Sequence, residues 1–171
     1  MHEKGMTKNM IIHPIPPVYD KNSKILILGS FPSVKSREEG FFYGHPHNRF
    51  WRVLSAVFDD ELPKTIPEKK KFLLSYGIAL WDVLMSCEIT GSSDSSIKNA
   101  VPTDLSVIFD TADIHSVFLN GKTAEKYFLK YQGEFLHQNT KINSVCLPST
   151  SPANAAYSLE KLINAWRIIR C

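Results

Sequence analysis

The chain has 171 residues and a formal net charge of +3, with an isoelectric point near 8.7. Apolar residues make up 43% and charged residues 22%, which is ordinary for a globular protein with one sizeable core. No apolar run approaches the roughly 20 residues that cross a membrane, and residues 1–10 lack the apolar stretch of a secretory signal. We therefore expect a single domain over residues 1–171, located in the cytoplasm and without contact to a membrane.

The residues that most often bind metals do not form a ligand set. Cys87, Cys146 and Cys171 are widely spaced, and none belongs to a CxxC pair. His45 and His47 lie two positions apart, with no nearby acid or cysteine to complete a site. We expect no metal site in this chain.

Short apolar runs alternate with helical patterns along the chain. Residues 1–23 form an extended, proline-containing lead. Continuous apolar runs then predict buried strands at 24–28, 78–81, 116–119 and 144–147. Amphipathic spacing and helix-start signals predict helices at 48–58, 67–76, 102–112, 123–131 and 153–169. This alternation predicts an α/β fold, a three-layer α/β/α sandwich around a short, mainly parallel four-stranded sheet.

Small and polar residues follow each predicted strand. They occupy residues 29–33, position 82, residues 120–121 and residues 148–152. Ligands of parallel sheets bind beyond the carboxyl ends of the strands, and such residues let a backbone approach a phosphate closely. Glycine, proline and serine are also common in ordinary turns. These loops alone are therefore equally compatible with a binding site and with a set of turns.

Several common catalytic motifs are absent. The sequence has no phosphate-binding P-loop, no GxGxxG fingerprint and no HExxH zinc motif. Ser30 does not lie in a GxSxG elbow, so a serine hydrolase has little support. Lys35, Arg37, Arg49 and Arg52 are interleaved with aromatic residues, a pattern that permits a polyanionic partner.

Two segments resemble the motifs of one enzyme family. Residues 29–51, GSFPSVKSREEGFFYGHPHNRFW, resemble the first motif of the uracil-DNA glycosylase superfamily, whose mismatch-specific branch has a Gly-x-x-Pro start and an HPxNRFW end. Residues 147–155, LPSTSPANA, resemble the second motif, a Ser/Pro loop before the last helix. The GSFP start and the STSPAN loop are most similar to the hypoxanthine-DNA (DNA-deoxyinosine) glycosylase branch. The resemblance covers roughly residues 24–170 and implies the fold of that superfamily.

The resemblance also implies which residue is catalytic. Phe31 stands where most branches carry a polar residue that directs water, and Ser149 stands where the second motif often carries a catalytic histidine. The remaining catalytic candidate is Asn48 in the HPxN segment, which would hold the attacking water or polarise the sugar. Asn48 also starts a predicted helix, so a capping role is a second interpretation, compatible with the first.

Four residues are candidates for binding the base. A glycosylase flips its target out of the duplex and sandwiches it between aromatic rings, for which Phe31 and Tyr43 are suitable. Asp82 stands where the superfamily often carries an asparagine that reads the base edge. A carboxylate would accept the N1–H of hypoxanthine and repel the bare N1 of adenine, although a turn cap is the alternative role. Ser149 is the fourth candidate.

The sequence therefore predicts a monofunctional glycosylase that excises hypoxanthine from deoxyinosine by hydrolysis and leaves an abasic site. We expect a nucleoid-associated monomer that acts on damaged double- or single-stranded DNA without a metal or organic cofactor. The alternatives are a mismatch-specific uracil-DNA glycosylase and a non-catalytic DNA- or nucleotide-binding protein on the same scaffold. Five residues are expected to contact DNA: Ser33, Lys35, Arg49, Ser151 and Asn154.

Overall fold

The computed structural model describes residues 10–170, which form seven strands and six α-helices. The strands are β1 (Met10–Ile12), β2 (Ile25–Gly29), β3 (Ile78–Asp82), β4 (Leu84–Glu88), β5 (Lys98–Pro102), β6 (Ser116–Asn120) and β7 (Asn143–Leu147). The helices are α1 (Val34–Glu39), α2 (Phe50–Val57), α3 (Ile66–Ser75), α4 (Ser106–Phe109), α5 (Lys122–Gln138) and α6 (Leu159–Trp166). Two short 3-10 helices span Asp94–Ser96 and Arg167–Arg170.

The central sheet has four strands in the order β3-β2-β6-β7, and every neighbouring pair is parallel. Each residue of β2 and β3 is buried, as expected of strands that helices cover on both faces. The four predicted strands are these four, with ends that agree to within a residue or so. The predicted parallel sheet is confirmed.

Helices lie on both sides of this sheet. The connections β2 to β3 and β6 to β7 run toward opposite edges, so right-handed crossovers place α3 and α5 on opposite faces. Helix α3 packs on β3, α5 packs on β6 and β7, and α2 packs on α6. The predicted three-layer sandwich is thus confirmed. No helix within residues 10–170 is both long and apolar enough to cross a membrane.

Three predicted helices have the wrong bounds. The helix predicted at 123–131 continues to Gln138 as α5, because Phe135 packs on Phe109 and extends the apolar face beyond residue 131. The predicted helix at 153–169 begins only at Leu159, because the Ser158 side chain caps α6 by accepting from the Lys161 N–H. Of the helix predicted at 102–112, only α4 at Ser106–Phe109 is formed, because residues 98–102 form β5 and pair with β4. Residues 153–158 are therefore a loop that begins within the second motif and continues past its end. We call residues 148–158 the second-motif loop.

A second sheet is absent from the prediction. Strands β1, β4 and β5 form a three-stranded antiparallel sheet, in which β4 is the middle strand. The N-terminal lead, as far as the structure describes it, therefore contributes a strand to the folded domain. After β1, the Val18 backbone pairs with Leu80 on β3, so this segment runs along the edge of the central sheet. Residues 1–9 of the lead lie outside the described residues.

The core depends on β2, whose Leu26 side chain is completely buried. Replacing Leu26 with alanine should lower the free energy of unfolding by about 2–5 kcal/mol, because a cavity opens between the layers. The matched control is Leu129→Ala on α5, where the side chain is 51% exposed and the same change should alter stability by less than about 0.5 kcal/mol. Urea unfolding of the three proteins measures both values, and equal losses would contradict this description of the core.

Candidate active site

A cavity of about 330 Å³ opens at the carboxyl ends of the parallel strands, where the sequence predicts a site. The end of each of the four strands, or the loop that follows it, contributes to its wall. The wall includes residues 29–33 after β2, Tyr43 and Asn48 before α2, Asp82 on β3, Asp94 before β5, Asn120 on β6, and residues 149–153 after β7.

Thr150 connects the two motif loops. Its side chain is fully buried, and its backbone N–H donates to Asn120 Oδ1 over 3.0 Å. The Thr150 hydroxyl accepts from Asn120 Nδ2 at 3.0 Å and donates to Asn48 Oδ1 at 2.9 Å. The Asn120 amide also donates to the Tyr43 hydroxyl at 3.1 Å. These bonds hold Tyr43, Asn48 and Asn120 in one network across the cavity wall.

The Asn48 side chain has a defined orientation. Its Oδ1 atom accepts from the Phe50 backbone N–H at 3.0 Å as well as from Thr150, so both carbonyl lone pairs are occupied. Only an oxygen can accept from a backbone N–H, which leaves the Nδ2 amide as the group available to a ligand. Asn48 lies one residue before Arg49, the N-cap of α2. It therefore satisfies the first N–H of the helix from outside the N-cap position and also presents a hydrogen-bond donor at the cavity. The two interpretations of Asn48 are compatible in this geometry.

Gly29 leaves room for a carboxylate and a phenol that both line the cavity. A Cβ atom at Gly29 would lie 2.5 Å from Asp82 Oδ1 and 2.8 Å from the Tyr43 hydroxyl oxygen. Any side chain at this position would displace both groups. The glycine that opens the first motif is thus required by the approach of Asp82 and Tyr43 to the end of β2.

Tyr43 adopts a backbone conformation that bulky residues avoid. Its φ angle is 54°, in the left-handed region, and its ring stacks on Phe50 with centroids 4.0 Å apart. Burial raises the pKa of Tyr43, and the nearby Asp82 charge raises it further, so the phenol stays protonated at neutral pH. Tyr43 lines the cavity as a neutral group, and its contact with a base stays a prediction.

Asp94 adds a second carboxylate to the cavity wall. It lies on the loop between β4 and β5, where the Ser30 hydroxyl donates to its Oδ1 atom at 2.9 Å. Asp94 is exposed as a whole residue, yet desolvation of its carboxyl raises its pKa, and the negative charge of Asp82 adds to this effect. The cavity thus gathers two acidic groups that repel each other.

Phe31 and Ser149 line the cavity with the other base-binding candidates. Phe31 is 8% exposed, and the Arg37 guanidinium lies 5.7 Å from its ring centroid. The Ser149 hydroxyl accepts from the Ser151 backbone N–H at 3.1 Å, which leaves its proton available within the described part of the chain. The structure therefore brings all four base-binding candidates and Asn48 to one cavity, and their roles stay predictions.

Arg49 holds the second-motif loop. Its guanidinium donates to the carbonyl oxygens of Tyr157, of Ser151 at 2.9 Å and of Asn154 at 3.1 Å. Its backbone N–H donates to the Thr150 carbonyl at 3.1 Å. Arg49 therefore holds the loop that carries Thr150, and its contact with a phosphate stays a prediction.

The other predicted DNA contacts lie at helix starts and in the same loop. Ser33 caps α1 by accepting from the Ser36 N–H, and Lys35 forms an exposed pair with Glu39 at 3.6 Å. In the second-motif loop, the Ser151 hydroxyl accepts from the Ala153 N–H, while the Asn154 amide donates to the Ser149 carbonyl. Ser33 and Ser151 reach the cavity wall itself.

Four residues of the site were not assigned a role from the sequence. Asn120 and Thr150 could have been found, because both lie in segments that follow predicted strands. Asp94 lies in a serine-rich loop with no recognisable motif, and His13 lies in the N-terminal lead, where its Nε2 atom is 2.7 Å from Asp82 Oδ2. Within residues 10–170, no three His, Cys, Asp or Glu side chains are grouped as metal ligands.

The fold and motifs agree with those of a known family. The profile of the uracil DNA glycosylase superfamily matches residues 16–170. The chain is 35% identical over 154 residues to a hypoxanthine DNA glycosylase of Methanosarcina acetivorans, covering 89% of this chain and 94% of that protein. It is 36% identical over 155 residues to a hypoxanthine DNA glycosylase of Methanosarcina barkeri, covering 88% and 92%.

A solved structure has the same fold. The solution NMR structure of a candidate uracil DNA glycosylase from Methanosarcina acetivorans superposes with a TM-score of 0.74 at 29% identity. The match covers 94% of this chain and 100% of that one. The chain belongs to the uracil DNA glycosylase superfamily.

The raised pKa of Asp94 predicts a pH-dependent stability. Because the folded-state pKa lies above the unfolded one, ionising Asp94 destabilises the fold, and this loss grows as pH rises through the folded pKa. Asp94→Asn keeps an acceptor for Ser30 and should raise the melting temperature slightly at pH 7–8. The gain should disappear below about pH 4, where the unfolded carboxyl is also protonated.

Thermal unfolding of wild type and variant between pH 3 and 8 measures this effect. Asp113→Asn, at an exposed position before β6, is the control and should show no such trend. A gain for Asp94→Asn that is the same at every pH would contradict the desolvation of this carboxyl.

Proposed function

We propose that this protein is a monofunctional DNA glycosylase that excises hypoxanthine from deoxyinosine sites and leaves an abasic site. The observation that carries the proposal is the pairing of a nearly buried carboxylate, Asp82, with an amide donor, Asn48, in one cavity. The two hypoxanthine DNA glycosylases of Methanosarcina support the same substrate. No lysine lines the cavity in the described part of the chain, which favours hydrolysis over Schiff-base chemistry.

Asp82 reads the edge of the flipped base in this proposal. Its carboxylate accepts the N1–H of hypoxanthine, whereas the bare N1 of adenine would face a negative charge without a proton between them. Guanine also carries an N1–H, so its 2-amino group must be excluded by the shape of the cavity. Uracil carries an equivalent N3–H, so Asp82 alone does not exclude it. Phe31 and Tyr43 would contact the faces of the base, and Ser149 would offer its hydroxyl proton.

Asn48 assists the departure of the base. Breaking the N-glycosidic bond places positive charge on the sugar and negative charge on the base. Water then adds to the sugar carbon, and the proton that it loses neutralises the released base. Because its carbonyl oxygen is occupied, Asn48 acts through Nδ2 and donates to the base as negative charge develops there. The carboxylates of Asp82 and Asp94 give the cavity a negative potential that stabilises the sugar cation.

DNA contacts outside the cavity hold the substrate in place. Lys35 and the hydroxyl and amide groups of Ser33, Ser151 and Asn154 would bind phosphates around the flipped nucleotide. Arg49 would act mainly by holding the second-motif loop in the conformation that presents Ser151 and Asn154 to DNA. Such contacts release counterions, so affinity for DNA should fall as salt rises.

Incubation with oligonucleotides that carry hypoxanthine, uracil, xanthine or ethenoadenine, followed by alkaline cleavage of abasic sites, tests the proposal. Hypoxanthine should be released fastest under single-turnover conditions. Equal or faster release of uracil would overturn the substrate and leave the family assignment unaffected. DNA binding without release of any base would instead indicate a non-catalytic binding protein.

Asn48→Asp separates the two tasks of Asn48. The aspartate retains an acceptor for the Phe50 N–H and the Thr150 hydroxyl but has no amide to donate to the base. Single-turnover excision should fall by about 10² or more, while the melting temperature stays near that of wild type. Asn48→Ala should lose excision and also about 1 kcal/mol of stability, because the Phe50 N–H and the Thr150 hydroxyl lose their acceptor. Unchanged or faster excision by Asn48→Asp would show that Nδ2 does not carry the chemistry.

Asp82→Asn tests base discrimination. An asparagine can accept or donate at this position, so it can pair with the N1–H of hypoxanthine or with the N1 of adenine. Selectivity for hypoxanthine over adenine in mismatched pairs should shrink, while part of the hypoxanthine activity survives. If selectivity is unchanged, the base is read by other groups of the cavity, and the proposed role of Asp82 is wrong.

A further inference from the structure

His13, in the N-terminal segment, has a defined protonation pattern. The Ile15 backbone N–H donates to His13 Nδ1 at 3.1 Å, so this nitrogen carries a lone pair and no proton. The ring proton is therefore on Nε2, which donates to Asp82 Oδ2 at 2.7 Å. A neutral imidazole thus donates one short hydrogen bond to a carboxylate of the cavity wall.

The position of the His13 ring is fixed from several sides. Its side chain is 1% exposed and lies among the rings of Phe31, Phe42 and Trp81. The His13 backbone N–H donates to the Met85 carbonyl at 2.7 Å. The surrounding segment is anchored as well, because the Trp81 indole N–H donates to the Ile15 carbonyl at 3.3 Å. The ring therefore cannot turn without disturbing this packing.

The hydrogen bond divides the two oxygens of Asp82 between two tasks. Oδ2 is occupied by His13, whereas Oδ1 makes no hydrogen bond within residues 10–170 and approaches Gly29 at the end of β2. Asp82 lines the cavity, so Oδ1 is the oxygen left to accept a proton from a base. Because the donor is a neutral ring, no positive charge is placed beside Asp82, and Oδ1 remains a strong acceptor for an N–H on the base.

We propose that His13 is a positioning residue, which orients the Asp82 carboxylate so that the cavity selects bases that carry an N–H at the edge they present. This inference rests on the proposed function, since it concerns how Asp82 reads the base. The N-terminal segment, which lies outside both sequence motifs, thereby takes part in substrate selection. His13 acts through Asp82 and does not itself touch the base.

A set of variants separates positioning from packing. His13→Phe fills a similar volume but removes the donor, and His13→Gln restores an N–H that can reach Asp82. Asp82→Asn alone and combined with His13→Phe complete a double-mutant cycle. Val18→Ala, in the same segment but without a bond to Asp82, is the control for general loosening of the segment.

The readout is the ratio of single-turnover excision rates for hypoxanthine and for unsubstituted purine, whose N1 carries no proton. Comparing ratios cancels the difference between the two bases as leaving groups. His13→Phe should lower this ratio by about tenfold, as expected when a bond to a charged group is lost, and His13→Gln should recover part of it. Val18→Ala should lower the melting temperature and leave the ratio unchanged. In the Asp82→Asn background, His13→Phe should not lower the ratio further.

Two results would overturn the inference while leaving the proposed function in place. The first is a folded His13→Phe variant whose ratio of hypoxanthine to purine excision equals that of wild type. The second is a His13→Phe change that lowers this ratio by the same factor in wild type and in Asp82→Asn. Near-ultraviolet circular dichroism checks that each variant is folded at the assay temperature. A wild-type protein that releases no hypoxanthine would overturn the proposed function itself, and this inference with it.

Discussion

The site depends on the hydrogen bond from the Thr150 hydroxyl to Asn48 Oδ1, because this bond joins two loops that are about a hundred residues apart in sequence. A threonine hydroxyl has a single proton, and Thr150 gives it to Asn48 while it accepts from Asn120. The direction of each bond is therefore determined. As a result, Asn48 presents its amide nitrogen to the cavity, while its oxygen accepts from the first N–H of α2.

The cavity also concentrates features that oppose stability. Tyr43 has a positive φ angle, Asp82 is a nearly buried carboxylate, and Asp94 is desolvated close to it. Sites of this kind are retained when the surrounding structure compensates for their cost. Here the stacking of Tyr43 on Phe50 and the hydrogen bond from His13 to Asp82 provide that compensation. The same contacts hold the groups in place for a ligand.

The sequence predicted the central sheet and most of the cavity wall. Continuous apolar runs identify strands that are covered on both faces, and the residues after them must meet at one edge, which is why Asp82 and Ser149 could be placed. The second sheet was not predicted, because β1 has only three residues and because β4 and β5 are partly exposed and lack a continuous apolar run. The role of His13 was not predicted for a related reason. His13 and Asp82 are 69 residues apart in sequence, and their contact depends on the second sheet. Local sequence patterns do not reveal contacts between residues that are so far apart in the chain.

A crystal structure of the protein with DNA that contains an uncleavable 2′-fluorinated deoxyinosine tests the central claim most directly, namely that this cavity receives and reads a flipped base. The account predicts hypoxanthine in the cavity, with its N1 at about 2.7–3.2 Å from Asp82 Oδ1 and Asn48 Nδ2 within the same range of an acceptor on the base. A base that stays in the duplex, or one whose N1 edge faces away from Asp82, would contradict it.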